Sequence, residues 1–172
     1  INVGCIPSKF LATKADRRPF SDISNRDYYK ESVVGKKTLI SKLNKVNYDK
    51  VASNENVEVI DGLGSFIDDH TINIKTDGGD YQVYGERISI NTGARPFVPG
   101  IEGLEISNRI HSSETLMDLE EFPESLAILG SGFIGLEFAA SYAKFGTKVT
   151  IIDMGDKILP REDEDVAQVV FE

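Results

Sequence analysis

Two short strings in this 172-residue sequence carry side chains whose types and spacing point to chemistry. The first is Cys5-Ile6-Pro7-Ser8-Lys9. Pro7 suits the first turn of a helix, so Cys5 is placed at a helix N-terminus, where free N–H groups and the positive dipole end favour a thiolate. Such a sulfur is poised for redox chemistry, whereas a single cysteine without that context is more often an inert small hydrophobe. The second string is Gly130-Ser131-Gly132-Phe133-Ile134-Gly135. Gly130 permits a tight turn, Gly132 lets a pyrophosphate approach the backbone, and Gly135 allows a helix to pack closely on a strand. Asp153 stands 23 positions after Gly130, near the place of an acidic partner for a ribose 2′-hydroxyl. No arginine occupies 154–157 to receive a 2′-phosphate, so NADH is expected over NADPH. Glu137 lies in the apolar run FIGLEFAA, where a carboxylate is costly unless paired, so a cation is expected beside it.

These residues need elements to hold them. Apolar Phe10, Leu11 and Ala15 recur at near-helical spacing and predict a helix over 5–17. Residues 18–27 read as a loop around Pro19. A long amphipathic helix is predicted from Tyr28 to about Ala52, with Gly35 as its weak point. The period then changes to two through VEVIDG, GSFIDD, HTINIKT, YQVYG and RISINTG, which predicts an antiparallel meander with Asp77-Gly78-Gly79-Asp80 as a turn. Prolines and glycines in RPFVPGIEG mark a connection. Ser112 to Thr115 suit the cap of a short helix running through LMDLEEF to Pro123. SLAIL as a strand, the glycine turn, FIGLEFAASYAKF as a helix stopped by Gly146, and KVTIID as a second strand complete a β-α-β unit. The glycine spacing gains its meaning from that context, since the spacing alone is weak evidence.

Composition excludes several classes. Net charge is −9, and the 19 basic residues form no concentrated run, which argues against a nucleic-acid partner. No apolar stretch of roughly 18 residues is present and no secretion signal opens the chain, so no membrane role is expected and cytoplasm is the default compartment. One cysteine makes neither an internal disulfide nor a multi-cysteine metal site, and no metal is expected. His70 and His111 are read as structural or solvent-facing, Glu162 to Asp165 as a solvated helix start, and Tyr28-Tyr29 as packing residues. The opening at Ile1 and the stop at Phe171-Glu172 within a helical pattern read as the ends of a piece of a longer protein.

The string INVGCIPSK resembles the redox signature of the flavoprotein disulfide reductases, which include dihydrolipoamide dehydrogenase, glutathione reductase and mercuric reductase. SINTGARPFVPGIEG, GSGFIGLEFA and ILPREDEDVA are similar to further family segments in the same order, so the resemblance covers essentially the whole chain and is weakest over 18–56. The texture is most similar to the reactive-chlorine-resistance and mercuric-reductase-like branch, then to dihydrolipoamide dehydrogenase. The resemblance implies that Cys5 is the flavin-proximal cysteine, with its partner one position before Ile1, and that Lys9 reaches the flavin edge and pairs with Glu137. It implies FAD contacts at Gly64, Thr92, Gly93 and Ala94, and an aromatic gate at Phe133. Gly130, Ser131, Gly132, Phe133, Ile134, Gly135, Glu137 and Asp153 would serve the nicotinamide dinucleotide.

The expected fold class is therefore α/β. Residues 1–110 are expected to form part of an FAD-binding domain with an antiparallel meander, and residues 111–172 the first half of a Rossmann-type NAD(P)H-binding domain. The expected activity is an NAD(P)H-dependent flavoprotein oxidoreductase, homodimeric when intact, that passes electrons to a redox cysteine pair and then to a small thiol, disulfide or metal-ion acceptor. Its general acid/base would lie outside this chain. A non-catalytic dinucleotide-binding module and an inactive structural fragment stand as alternatives.

Overall fold

A computed structural model describes residues 3–18 and 23–171. Ile1 and Asn2 of the opening string, residues 19–22 of the expected loop, and Glu172 fall outside them. The chain divides into two compact units, Ile1–Lys45 with Pro96–Glu172, and Val46–Arg95. This is a division by packing, a different quantity from the boundary at residue 110, which separates residues by the nucleotide they are expected to hold.

In the first unit, α1 spans Cys5–Asp16 and α2 spans Asn25–Ala52, its last turns counting with the second unit. Helix α2 begins three residues before the expected start because Ser24 caps it. Its main-chain oxygen accepts the Tyr28 N–H at 3.0 Å, its Oγ accepts the Asp27 N–H at 3.1 Å, and the same hydroxyl donates to the Asp27 carboxylate at 2.6 Å. Ser24 and Asp27 are a capping pair legible in the sequence. Gly35 is more than a weak point in α2: a Cβ there would stand 3.2 Å from the Phe10 ring, so its absence lets α1 lie close.

Next come α3 (Ser113–Leu116), β4 (Ser125–Leu129), α4 (Phe133–Phe145), β5 (Lys148–Ile152) and α5 (Glu164–Phe171). β4 and β5 pair in parallel, with Ser125 opposite Lys148 and Leu129 opposite Ile152. Helix α4 ends at Gly146, whose φ of 101° is the left-handed conformation that favours glycine. Helix α3 carries the expected box, in which the Thr115 N–H donates to Ser112 Oγ at 3.3 Å and the Ser112 N–H to Thr115 Oγ1 at 2.9 Å. It stops at Leu116, short of the expected run to Pro123. The carbonyls that a longer helix would use are taken by side chains of α2 and α4: Leu116 by Tyr142 at 3.0 Å, Met117 by Lys36 at 2.8 Å and Leu119 by Tyr29 at 2.8 Å.

Those side chains close the core of the unit. Leu11, Ala15, Tyr29, Val33, Met117, Phe138, Tyr142 and Phe145 form one buried cluster. Each fully buried large apolar side chain there contributes roughly 1.5–3 kcal/mol. Tyr29 meets Phe145 edge-on with ring centroids 5.3 Å apart, and its hydroxyl lies 3.1 Å from that of Tyr142. The Lys36 ammonium, itself buried, is also held by the Asp118 carboxylate. Burial pushes the Tyr29 phenol up to about 12 and the Tyr142 phenol up as well. An unfolded tyrosine ionises near 10, so the folded chain holds its protons more tightly between those values. Stability from Tyr29 is therefore complete below pH 10 and lost as pH rises toward 12, by an amount on the order of 2 kcal/mol. Alkaline unfolding followed by circular dichroism should show this loss, and Tyr29→Phe should reduce it.

The second unit holds a three-stranded antiparallel sheet in the order β1 (Leu63–Phe66), β2 (Thr71–Thr76), β3 (Gly79–Tyr84). Asp77 and Gly78 form the two-residue turn between Thr76 and its partner Gly79, so pairing begins inside the expected turn. The alternating segments 57–62 and 87–93 are not strands. Alternation marks a half-buried surface, but a strand also needs a hydrogen-bonded neighbour. Among the described residues no ladder joins either segment to β1, β2 or β3, although β1 and β3 each keep an unpaired edge. At Gly62 the chain passes so near β2 that a Cβ would lie 2.7 Å from the Lys75 carbonyl.

Candidate functional site

Helix α1 places Cys5 as its first residue, exposed, and Lys9 one turn on. Cys5, Ile6, Lys9, Phe10, Thr13 and Leu39 line an open, largely apolar groove of about 370 Å³ between α1 and α2. Helix α4 supplies Glu137, whose Oε1 lies 2.9 Å from the Lys9 ammonium. The cation expected beside this carboxylate is therefore Lys9. The contact is one of charge rather than a directed hydrogen bond: Oε1 is buried and has no hydrogen-bond donor among the described residues. Because Lys9 is 66% exposed, the pair adds little to stability. What it sets is position, bringing the helix that carries the thiol against the helix that follows the glycine turn.

A second ion pair, unforeseen from the sequence, supports that alignment. Seven residues after Lys9 and Glu137, Asp16 of α1 meets Lys144 of α4 with the signs exchanged. The two helices thus run parallel, with Leu11 and Ala15 facing the apolar side of α4 between the pairs. The resemblance already paired Lys9 with Glu137, but the second pair, seven residues on, was not drawn from it.

The glycine turn has the geometry its spacing implies. Gly130 has φ 105° and donates its N–H to the Ile152 carbonyl at 2.8 Å, which fixes the turn to β5. Gly132 caps α4 without a side-chain partner, so the first-turn N–H groups are left for another acceptor. A Cβ on Gly135 would stand 2.2 Å from the Gly130 carbonyl oxygen. Ser131 is buried and Phe133 is exposed. Asp153 follows β5, and its Oδ2 accepts both the N–H and the hydroxyl of Ser131, at 2.6 and 2.7 Å. Its Oδ1 accepts the Gly155 N–H at 2.9 Å. The Gly155 amide, then the Ser131 hydroxyl and amide, hold the Asp153 carboxyl down to about 2.

In the other unit, Gly64 lies in β1, and Thr92, Gly93 and Ala94 follow the sheet in an exposed stretch where Gly93 has φ 78°. His70 Nδ1 donates to the Gly85 carbonyl at 3.1 Å, and its ring lies tilted against Tyr84. Among the described residues no group of histidine, cysteine and carboxylate side chains could hold a metal ion, and no helix is long and apolar enough to cross a membrane.

The sequence profile of the pyridine nucleotide-disulphide oxidoreductases matches residues 1–172. The chain belongs to this family. Among its relatives within the family, the probable pyridine nucleotide-disulfide oxidoreductase RclA of Escherichia coli K12 is 38% identical over 167 residues, covering 97% of this chain and 36% of the relative. The mercuric reductase of Streptomyces lividans is 30% identical, covering 97% of this chain and 37% of its own length. Among solved structures, the HOCl-induced flavoprotein disulfide reductase RclA from E. coli superposes with a TM-score of 0.86 at 37% identity, over 99% of this chain and 37% of that one. LpdA from Mycobacterium tuberculosis does so with a TM-score of 0.78 at 26% identity, over 98% and 39%. The chain thus spans somewhat over a third of the length of the oxidoreductases it matches. The α/β class with one antiparallel and one parallel sheet is the one these flavoproteins share.

Family members use FAD and NAD(P)H, and the residues present fit both. For the dinucleotide, the fit rests on a turn whose third glycine has no room for a side chain and whose helix N-terminus is uncapped. For the flavin, it rests on the exposed thiol and ammonium at an apolar groove, beside a buried carboxylate oxygen lacking a donor.

Proposed function

We propose that the intact protein is an NADH-dependent, FAD-containing oxidoreductase, a cytoplasmic homodimer, that reduces a disulfide or metal-ion acceptor through a cysteine pair containing Cys5. The observation that carries this reading is the 2.9 Å pairing of Lys9 with Glu137, which joins the thiol helix to the dinucleotide helix. Residues 130–135, Glu137 and Asp153 would hold the nicotinamide dinucleotide, with its pyrophosphate at the free N–H groups of α4 and a ribose hydroxyl at Asp153. Lys9, Gly64, Thr92, Gly93 and Ala94 would hold the flavin. Phe133, exposed at the head of α4, would stand as an aromatic gate over the flavin. A flavin held there would supply two-electron transfer from NADH to a disulfide, which with two protons becomes two thiols. Cys5 is the sulfur presented to that exchange, and Lys9 places a positive charge one turn away, where it offsets the charge of a thiolate. Glu137 keeps Lys9 from wandering into solvent, so the ammonium is already in place when charge develops.

Anaerobic addition of NADH should bleach a bound flavin and release a new pair of thiols. Glu137→Gln, which keeps the shape and removes the charge, is expected to slow that bleaching by about 10-fold while shifting stability by less than about 1 kcal/mol. A protein whose flavin is not reduced by NADH, or a Glu137→Gln variant reduced at the wild-type rate, would overturn the reading.

A further inference from the structure

Ser131 sits between the first two glycines of the turn with 1% of its surface exposed. Its N–H and its hydroxyl both donate to Oδ2 of Asp153, and its carbonyl accepts the Leu159 N–H at 3.1 Å, so the residue is held from three sides. A carboxylate offers about four lone-pair positions. On Asp153, Oδ2 has both of its positions occupied by Ser131, and Oδ1 has one occupied by the Gly155 N–H. Any further donor must therefore approach Oδ1, beside the Gly155 and Met154 N–H groups, on this exposed residue at the end of β5.

We propose that Ser131 is the positioning residue that sets the dinucleotide preference of this site. It locks Asp153 so that Oδ1 alone accepts one ribose hydroxyl and a fixed negative charge stands where a 2′-phosphate would have to lie. This rests on the reading of residues 130–153 as a nicotinamide dinucleotide site. With alanine or glycine at 131 the main-chain N–H would remain but the hydroxyl would be lost. Oδ2 then has a free position and the carboxylate can turn about its Cβ–Cγ bond. The alignment that the serine provides in advance must then be recovered on binding, which weakens the complex. A 2′-phosphorylated dinucleotide gains nothing from that alignment and meets a charge less firmly held, so it is penalised less.

The test is calorimetric titration of the intact protein with NAD+ and with NADP+, alongside a carbon-13 NMR titration of the Asp153 carboxylate. Wild type should prefer NAD+. Ser131→Ala and Ser131→Gly should each weaken NAD+ binding by roughly 3- to 10-fold, the worth of one lost charge-assisted hydrogen bond. The preference over NADP+ should narrow by a similar factor, and Asp153 should titrate closer to an ordinary carboxylate. Ser131→Thr, which keeps the hydroxyl, should recover most of the preference. A wild type that binds neither dinucleotide would overturn the site assignment itself. A wild type that prefers NAD+, with Ser131→Ala and Ser131→Gly variants that keep the same ratio, would overturn the role of Ser131 and leave the site standing.

Discussion

Cys5→Ser is expected to leave the reduction of bound flavin by NADH within a few-fold of wild type while lowering reduction of a disulfide acceptor by at least about 10³-fold. The separation follows from where Cys5 stands. It is exposed at the first residue of α1, outside the buried cluster, so the substitution removes a sulfur without disturbing the packing, and stability should change by less than about 0.5 kcal/mol. The glycine turn and Asp153 lie on other elements and keep their contacts. A serine hydroxyl has neither the acidity nor the redox chemistry of a thiol, so electrons that arrive at this point have no exit through α1. Rapid mixing with NADH, followed by an assay with a small disulfide, separates the two half-reactions. If acceptor reduction persists in Cys5→Ser, another sulfur carries the electrons and the assignment of Cys5 fails.

Gly135→Ala is expected to cost about 2–4 kcal/mol in stability and to abolish dinucleotide binding. Two effects compete. Alanine in a helix is favoured over glycine by about 1 kcal/mol, but here its Cβ would stand 2.2 Å from the Gly130 carbonyl oxygen and 3.4 Å from Ile128 Cγ2. The first of these is a main-chain atom that cannot rotate away. Gly130 is in turn fixed by its hydrogen bond to Ile152 and by a φ of 105°. Relief therefore requires α4 to move off β4 and β5, which would also disturb the packing of Phe138 and Tyr142. The control is Gly132→Ala. A Cβ at 132 meets nothing within 4 Å, and the backbone there has an ordinary φ of −72°. That variant should fold at a cost of at most about 1 kcal/mol, yet lose dinucleotide affinity, because the added methyl occupies the approach of the pyrophosphate. Urea midpoints and NAD+ titrations of the two variants distinguish a glycine needed for packing from one needed for access. Equal stability for both would refute the distinction.

Acid sensitivity should also trace to this turn. The Asp153 carboxyl is held at about 2, below the ordinary 3.8, so its contacts with Gly155 and Ser131 are intact above pH 4 and are lost as pH falls toward 2. The direction is opposite to that of the buried tyrosines, and the two together place the most stable range between acid and strong alkali.

What the sequence by itself determined was local. The glycine spacing, the small residues of FIGLEFAASYAKF and the stop at Gly146 demand a strand, a turn and a helix in that order. Each requirement acts over a few residues, where backbone sterics decide the outcome. The capping residues Ser112 and Thr115 are of the same kind, and so are Ser24 and Asp27, whose signal was present and extends α2 to Asn25. The need of Glu137 for a cation was also legible, since a carboxylate in an apolar helix has no other economical state. Tertiary structure decided which cation answered and which chain segments met. Lys9 lies well over a hundred residues away; the family resemblance named it, but residue physics alone could not, and it is the packing of α1 on α4 that brings it there, with Asp16 and Lys144 in the matching register. The early end of α3 was decided in the same way, by Tyr29, Lys36 and Tyr142 taking carbonyls that propensity would have left to a helix. So was the tie between Ser131 and Asp153. A residue's type says what hydrogen bonds it is able to make, but only the closing of β5 against the turn says with whom.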